Sequence, residues 1–318
     1  LQMTDDTPAP DSAPEITPQG PTRAGFVALI GEPNAGKSTL LNRMVGAKVS
    51  IVTHKVQTTR ARIRGIAMHG QAQVVFVDTP GIFRPRRRLD RSMVAAAWGG
   101  AADADIIVLL VEAHRGLTDG VAAILSDLRE RAGRTPVALA INKIDRVKAE
   151  DLLALSQKLN GEYDFARTFM ISAERGHGTG DLLGWLAQTL PEGPWLYPED
   201  QAADVPVRVL AAEITREKVY LRVHEELPYS AAVETTSFED RADGSARIEQ
   251  TIYVERESQR PIVLGKGGQT LKWIGQKARE ELNEILGRQV HLFLTVKVDP
   301  KWQDSRALYA QFGLDFDV

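Results

Sequence analysis

The stretch "GEPNAGKST" at residues 31–39 decides the fold of the first half of the chain. It has the G-x-x-x-x-G-K-[ST] spacing of a phosphate-binding loop, and it lies between the apolar run "GFVALI" and a helical pattern that begins at Lys37. Backbone N–H groups of such a loop point inward at anionic oxygens. The lysine is placed to reach the β- and γ-phosphates of a nucleotide, and the hydroxyl of Ser38 to ligate Mg²⁺. The loop residues predicted to bind a nucleotide are Gly31, Asn34, Ala35, Gly36, Lys37, Ser38 and Thr39.

The rest of the chain divides into an α/β part and a smaller α+β part. Between residues 23 and 190, short apolar runs alternate with helical patterns, which predicts a mostly parallel sheet with helices on both faces and one antiparallel hairpin. Residues 191–206 contain four prolines and are the predicted linker. From 207 to 300 the pattern is helix–strand–strand–helix–strand. Residues 1–22 are predicted to be a disordered tail, and 301–318 a C-terminal tail.

Composition limits the classes of protein to which the chain can belong. Of its 318 residues, 43% are hydrophobic and 25% are charged, as in soluble globular proteins. The net charge of −3 gives no general indication of nucleic-acid binding, and the absence of cysteine excludes disulfides and thiolate metal sites. The longest apolar run, at 106–111, is too short to span a bilayer. The first residues lack the basic start and apolar core of a secretory signal, so we expect a cytoplasmic protein.

The motif "NKID" at 142–145 ends an apolar strand, which is where ligands bind in such sheets. Its residues indicate which base the nucleotide carries. The carboxylate of Asp145 can accept from both N1–H and the 2-amino group of guanine, whereas adenine has no donors there. Discrimination of roughly 10⁴-fold is plausible for such a site. Asn142 is expected to orient the loop and to reach the base edge, and the amide of Ala173 to bond the guanine carbonyl. The residues predicted for the base pocket are Asn142, Lys143, Asp145, Ser172 and Ala173.

Two further motifs predict a metal site and a switch. In "DTPG" at 78–81, Asp78 is placed to hold Mg²⁺ through water, and the amide of Gly81 to bond the γ-phosphate. In "QTTR" at 57–60, a threonine can complete the shell of Mg²⁺, and we prefer Thr59 to Thr58. The predicted metal ligands are Ser38, Thr59 and Asp78, and the predicted catalytic residues are Lys37, Thr59, Asp78 and Gly81.

One catalytic part of a Ras-type site is missing. There, a glutamine follows the switch glycine and orients the attacking water, whereas this chain has Ile82. Unassisted hydrolysis should therefore be slow. Asn34 could supply an oxygen for a monovalent cation, K⁺, that replaces an arginine finger, or it could simply suit the turn; the sequence leaves both open.

A second glycine loop, "GKGG" at 265–268, has the G-x-x-G of a KH module, whose bare backbone lets the sugar-phosphates of a single strand approach closely. We expect a strand before it and a basic amphipathic helix after it. Residues 256–279 contain six basic residues and one acid, a local excess that the whole-chain charge conceals. The residues predicted to bind RNA are Arg260, Gly265, Lys266, Gly267, Gly268 and Lys272.

The run "RPRRRLDR" at 84–91 carries five arginines directly after the switch glycine. Most such runs are solvated surface. The alternative is that this segment touches RNA or a partner and so couples the state of the nucleotide to binding.

Taken together, "GEPNAGKST", "QTTR", "DTPGI", "NKID", "SAE" and "GKGG" resemble the motifs of the Era family of bacterial GTPases, over about residues 23–300. The resemblance implies a Ras-like GTPase domain, with GTP or GDP and Mg²⁺ as ligands, followed by a KH domain. It also implies binding to the 3′ end of 16S ribosomal RNA, a role in 30S subunit assembly and a partly membrane-associated cytoplasmic location. We further expect a monomer that does not bind DNA. Glu174 stands where family members often have lysine, which affects nothing essential because the backbone does the work there.

Two other functions fit parts of the sequence. A non-enzymatic RNA chaperone that only binds its nucleotide is favoured mildly by Ile82 and disfavoured by the intact Lys37, Thr59 and Asp78. A membrane-remodelling GTPase would need a long helical stalk, and the sequence has no pattern for one. Phosphate release with and without RNA tests the first alternative, and co-sedimentation with vesicles tests the second.

Overall fold

A computed structural model of the chain describes residues 21–53, 59–60, 63–223 and 231–318. Most of the predicted N-terminal tail, together with Gln57 and Thr58 of the "QTTR" motif, lies outside the described residues. Within them, the chain forms one sheet of seven strands and one of three. None of the helices in these ranges is long and apolar enough to cross a membrane.

The larger sheet belongs to the predicted α/β domain. Its strands are β1 (Arg23–Gly31), β2 (Ile63–His69), β3 (Ala72–Asp78), β4 (Ile106–Glu112), β5 (Val137–Asn142), β6 (Arg167–Ile171) and β7 (Ala203–Asp204). They lie in the order β6-β5-β4-β1-β3-β2-β7. Pairs from β6 to β3 are parallel, whereas β2 pairs antiparallel with both β3 and β7. The prediction of a mostly parallel sheet with one antiparallel hairpin is confirmed.

Helices cover both faces of this sheet. They are α1 (Lys37–Val45), α2 (Arg88–Ala102), α3 (Asp119–Arg131), α4 (Ala149–Glu162) and α5 (Thr179–Thr189). Alternate residues of β1 enter different cores: Val27 and Leu29 belong to one hydrophobic cluster, and Ala28 and Ile30 to the other. Because both faces are covered, every residue of β4 is buried. The carboxyl ends of the parallel strands therefore meet at one open edge, where ligands bind in such sheets.

The proline-rich segment between the two sheets follows the edge of the larger one. β7 pairs with Arg64 and Gly65 of β2. The side-chain carbonyl of the buried Gln73 accepts from the backbone amides of Leu196 at 2.8 Å and Tyr197 at 2.9 Å. The residues predicted as a linker are thus bonded to the sheet edge, which their composition did not indicate.

The smaller sheet belongs to the predicted α+β domain. Its elements are α6 (Val207–Arg222), β8 (Ala231–Asp240), β9 (Ala246–Val254), α7 (Arg260–Leu264), α8 (Gln269–Leu286) and β10 (Val290–Val298). The strand order is β10-β9-β8, with β9 parallel to β10 and antiparallel to β8. The sequence pattern predicts the first helix over about 211–224. This helix begins earlier, at Val207 directly after Pro206, and it does not extend further back because the residue before a proline is disfavoured in the helical region.

The strand expected before "GKGG" is present as β9. Between that strand and the loop, residues 260–264 form the short helix α7, with Pro261 in its first turn, which the sequence pattern did not indicate. Proline is favoured at this position because its fixed φ suits a helix start. The basic amphipathic helix predicted after the loop is present as α8, and its apolar face buries Ile274, Ala278 and Leu282.

Residues 301–318, predicted as a tail, fold back onto the larger domain. A 3₁₀ turn (Trp302–Asp304) precedes the helix α9 (Arg306–Gln311). Trp302 and Phe312 are buried in the same hydrophobic cluster as Leu89 and Met93 of α2. This contact needs apolar residues more than 200 positions apart in sequence, so local patterning could not indicate it.

Candidate functional site

The conformation and close contacts of the phosphate loop require glycine at two positions. Gly36 has φ 97°, and a β-carbon there would lie 2.2 Å from the amide nitrogen of Asn142. At Gly31 a β-carbon would lie 2.5 Å from the carbonyl oxygen of Leu110. Only glycine permits these approaches without a shift of the neighbouring strand ends.

The amine of Lys37 lies inside this loop. Its Nζ donates to the carbonyl oxygens of Gly31 at 3.2 Å and Glu32 at 3.0 Å. Burial lowers the pKa of Lys37 to about 8, and the carboxylates of Asp78 and Glu32 oppose that change. A phosphate would supply the hydrogen-bonded countercharge that a buried ammonium needs. The loop therefore fits an anionic ligand.

The three predicted metal ligands lie together. Oδ2 of the buried Asp78 accepts from Oγ of Ser38 at 2.7 Å, and Oγ1 of Thr59 lies 2.8 Å from that same Oγ and 3.5 Å from the carboxylate. A further hydroxyl, that of Ser50, also donates to Oδ2 at 2.8 Å. Sequence reasoning missed Ser50, because it belongs to no motif and only the fold brings it to Asp78.

This cluster fits Mg²⁺. Oδ1 of Asp78 is buried and has no hydrogen-bond partner among the residues that the structure describes. Burial raises the pKa of Asp78, against the hydrogen bond from Ser38 and the charge of Lys37. A magnesium ion is commonly held by one carboxylate, hydroxyls, waters and substrate phosphates, which is the donor set here. No group of three or more histidine, aspartate or glutamate side chains suited to a metal occurs elsewhere in the described ranges.

The base-reading residues are also assembled, with one difference from the expectation. Oδ1 of Asp145 accepts from Oγ of Ser172 at 2.6 Å, and this bond, with the charge of Arg175, lowers the pKa of Asp145. Asn142 donates to the carbonyl of Ala35 at 2.8 Å and accepts from the amide of Ala173 at 3.0 Å. The Ala173 amide, predicted to face the guanine carbonyl, is therefore engaged by Asn142, which joins the phosphate loop to the base loop.

Lys143 is held beside this pocket by a residue that the sequence did not reveal. It has φ 66°, and its Nζ lies 2.8 Å from Oε1 of Glu112 at the end of β4. Nδ1 of His114 lies 3.0 Å from the same oxygen. Glu112 thus fixes the direction of the Lys143 side chain from a neighbouring strand.

These groups surround one cavity of about 580 Å³, within the usual size range of ligand sites. Four predicted residues are hydrogen-bonded to residues that line the cavity: Gly31 to Lys37, Asp78 to Ser38, Ala35 to Asn142 and Asp145 to Ser172. The predicted residues that line the cavity are Asn34, Gly36, Lys37, Ser38, Thr39, Thr59, Gly81, Asn142, Lys143, Ser172 and Ala173.

The position after the switch glycine is part of the core. Ile82 is buried in the cluster that contains Ala97 and Trp98, and its amide donates to the carbonyl of Gly31 at 3.0 Å. A β-carbon at Gly81 would lie 2.7 Å from the nitrogen of Pro33, so the switch backbone lies against the phosphate loop. A side chain at 82 therefore does not face the phosphates.

The second glycine loop is open to solvent. Lys266 and Gly267 are exposed, as are the predicted RNA contacts Arg260 and Lys272. Gly265, Gly267 and Gly268 have φ values of 72°, 60° and 77°, in the region that favours glycine. A β-carbon on Gly267 or Gly268 would meet no heavy atom within 4 Å. A polymer therefore has access to this backbone.

The arginine run divides into two parts. Arg88 lies 4.6 Å over the ring of Phe316 and 3.4 Å from Asp304, and Arg87 lies 3.9 Å from Glu255. These two side chains connect α2 to the C-terminal segment and to the end of β9. Arg84 and Arg86 are exposed.

Known proteins share both halves of this arrangement. Residues 26–143 match a family model described as 50S ribosome-binding GTPase, and residues 226–303 match the KH domain. GTPase Era of Dinoroseobacter shibae is 69% identical over 93% of this chain and 96% of its own length. The chain belongs to the GTPase Era family. Another GTPase Era, from Rhizobium meliloti, is 62% identical over 93% of the chain and 94% of its own length.

Solved structures of Era agree with the fold. Aquifex aeolicus Era bound to GDP·AlF₄⁻ superposes with a TM-score of 0.86 at 39% identity, covering 92% of this chain and 99% of that one. Era in complex with MgGDPNP and nucleotides 1506–1542 of 16S ribosomal RNA gives the same TM-score, identity and coverage. The Ras-like GTPase domain and the KH domain expected from the sequence are confirmed for this family member.

Proposed function

We propose that this member of the GTPase Era family binds GTP with Mg²⁺ in the cavity at the carboxyl edge of the larger sheet and hydrolyses it to GDP and phosphate. We further propose that its KH domain binds the 3′ end of 16S ribosomal RNA and assists maturation of the 30S subunit. One observation carries the proposal: an assembled nucleotide cavity and a separate, exposed glycine loop occur on the same chain.

Different residues of the nucleotide site bind the phosphates, the metal ion and the base. Lys37 and the loop amides hold the β- and γ-phosphates, and the Gly81 amide bonds the γ-phosphate. Mg²⁺, when bound by Ser38, Thr59 and Asp78, would neutralise charge that develops on the phosphate oxygens. Ionised Asp145 accepts from guanine N1–H and the 2-amino group, because the Ser172 hydroxyl and Arg175 favour its charged form.

Hydrolysis is slow without help, because no side chain at position 82 orients water. The attacking water is then aligned by backbone and loop groups, or by a bound partner. In the KH domain, the loop backbone at Gly265, Gly267 and Gly268 takes the sugar-phosphates of a single strand, and the exposed side chains of Lys266, Arg260 and Lys272 add charge.

Finer parts of the proposal concern a cation site, the location of the protein and its oligomeric state. The carbonyl oxygen of the Asn34 side chain contributes to a K⁺ site near the phosphates, and the φ of 66° at Asn34 also suits the turn. The protein is a cytoplasmic monomer that associates peripherally with the inner membrane and does not bind DNA. A higher hydrolysis rate in KCl than in NaCl tests the cation, and vesicle co-sedimentation tests the membrane.

The main test is phosphate release from GTP, with and without a short RNA of the 16S 3′-terminal sequence. We expect slow multiple-turnover release from the protein alone. Release that never exceeds one turnover per protein under either condition contradicts the enzymatic half. RNA affinity, measured in parallel by fluorescence anisotropy with a scrambled RNA as control, decides the other half: equal affinity for both RNAs contradicts the assigned target.

A further inference from the structure

The segment that follows α1 faces two directions. Oγ of Ser50 donates to Oδ2 of Asp78 at 2.8 Å, inside the candidate Mg²⁺ site. The next residue, Ile51, is 1% exposed and belongs to the hydrophobic cluster formed by Ala211, Ile214 and other residues of the KH domain. A single peptide unit therefore connects the metal site to the KH core.

The same arrangement occurs a second time. Oγ1 of Thr59 lies 2.8 Å from Oγ of Ser38, in the metal site. The next residue, Arg60, is 1% exposed, although it carries a full positive charge. Its guanidinium donates to the carbonyl oxygen of Ala231 at 2.8 Å and to the hydroxyl of Tyr220 at 3.2 Å. Both partners belong to the KH domain, on β8 and α6.

Three further contacts hold the guanidinium and the segment that follows α1. The ring of Trp302 lies 5.4 Å from the Arg60 guanidinium carbon. Oε1 of Glu217, on α6, accepts from the amide of Val52 at 2.9 Å, and its Oε2 lies 2.7 Å from Nζ of Lys48. Glu217 is almost fully buried, which opposes its ionisation, but hydrogen bonds from Lys218, from Lys48 and from the amide of Val52 hold its pKa below the usual value.

We propose that the KH domain is a structural part of the Mg²⁺ site, in which Ile51 and Arg60 act as positioning residues for the hydroxyls of Ser50 and Thr59. The proposal rests on the proposed GTP site. The physical reason is that a hydroxyl orients correctly only if its backbone is fixed, and here the adjacent residue of each is fixed in the other domain. Groups that orient metal ligands commonly change metal affinity or activity by about 10- to 100-fold when removed.

The arrangement also has a thermodynamic consequence. Any shift of α6 or β8 against the larger domain moves Arg60 and therefore Thr59. Coupling between two sites is reciprocal, so an RNA that changes the position of the KH domain changes Mg²⁺ affinity by the same factor that Mg²⁺ changes RNA affinity.

The test measures the Mg²⁺ concentration that gives half the maximal rate of GTP hydrolysis, and separately the affinity for GDP in EDTA. Arg60→Ala should raise the half-maximal Mg²⁺ concentration about tenfold or more, and leave GDP affinity in EDTA within about twofold, because the phosphate loop and base pocket are intact. Equal Mg²⁺ dependence in Arg60→Ala and wild type overturns the proposal. Absence of GTP hydrolysis in the wild type would instead contradict the proposed function.

Two further variants complete the test. Tyr220→Phe keeps the volume of the ring and removes only the hydroxyl that accepts from Arg60, so it serves if Arg60→Ala does not fold. It should shift the Mg²⁺ dependence in the same direction by at least about twofold, and no shift overturns the proposal. Arg222→Ala is the matched control. Arg222 lies on α6, like Tyr220, but its guanidinium carbon lies 5.5 Å from the ring of Trp273 in the KH domain. A shift in Arg222→Ala as large as that in Arg60→Ala would show a general loss of KH stability and overturn the assignment.

Discussion

The side chain of Asn142 donates a hydrogen bond of 2.8 Å to the carbonyl oxygen of Ala35, and so ties the end of β5 to the middle of the phosphate loop. The same side chain accepts from the amide of Ala173 at 3.0 Å. One residue therefore sets the distance between the part of the pocket that holds phosphates and the part that reads the base.

Asn142→Ala should weaken GDP binding by about tenfold to a hundredfold. The change leaves a buried carbonyl and a buried amide without partners, and an effect of about 1.4–2.8 kcal/mol on binding, within the cost of losing such hydrogen bonds, corresponds to this range. Isothermal titration with GDP measures it. Asn160→Ala is the control, because Asn160 also bonds a backbone carbonyl, that of Ser156 at 2.8 Å, but lies on the exposed surface of α4. Equal GDP affinity in Asn142→Ala and wild type would contradict the linking role.

Asp145→Asn should weaken GDP binding by at least about 10²-fold and allow xanthosine diphosphate to bind. The amide donates where the carboxylate accepted, so it matches the carbonyl that xanthine has in place of the 2-amino group. Competition of both nucleotides against a fluorescent GDP analogue measures the exchange of preference. If GDP affinity does not change, another group reads the base.

Lys37 should make nucleotide binding depend on proton uptake. In the ligand-free protein its pKa is about 8, because burial disfavours the charged amine, and bound phosphates raise that pKa again. GDP binding at pH 8 should therefore take up a fraction of a proton, whereas binding at pH 6.5, where the amine is already charged, should take up almost none. Calorimetry in two buffers of different ionisation enthalpy measures the uptake. The prediction is refuted by Lys37→Ala taking up as many protons as wild type at pH 8.

The lowered pKa of Lys37 also makes the free energy of unfolding of the ligand-free protein depend on pH. Because the folded value lies below the unfolded value of 10.5, the ligand-free native state binds fewer protons than the unfolded chain between about pH 8 and 10.5. The contribution of Lys37 to stability therefore rises with pH through that window.

Gly267→Asp should abolish RNA binding and leave GDP affinity unchanged. The substitution forces a side chain into φ 60° and places a negative charge where phosphates approach. Anisotropy with the 16S 3′-terminal RNA measures the loss. Gly244→Asp is the matched control, since Gly244 also has positive φ (82°) and open space, but lies in the turn between β8 and β9. RNA affinity equal to wild type in Gly267→Asp would remove the glycine loop from the binding site.

Much of the fold and site was predictable because its signals are local. The phosphate loop, "DTPG" and "NKID" each need particular residues within a few positions, and each follows a buried strand whose end lies at one sheet edge. Asp145 and Ser38 were therefore assigned before any geometry was known. The glycines of the second loop were predictable for the same reason, because positive φ is a property of single residues.

What could not be predicted depends on distant contacts. Ser50 and Glu112 carry no motif and reach the site only through the packing of a loop and a neighbouring strand. In the sequence, Arg60 has no feature that distinguishes it from an exposed arginine. Its burial is explained only by the position of α6 and β8. The position of "SAE" after a strand predicts that the Ala173 amide faces the base, whereas in the structure this amide donates to the side-chain oxygen of Asn142.

The contact of the chain end with α2 has a consequence for synthesis on the ribosome. Trp302, Phe312 and Leu314 fill part of the cluster that contains Leu89 and Met93 of α2, yet they are translated about 200 residues later than α2. Domains usually fold in the order in which they emerge. Here the hydrophobic cluster of the nucleotide-binding half stays incomplete until residues 302–314 have left the exit tunnel, so a nascent chain that lacks them carries an exposed apolar face beside α2.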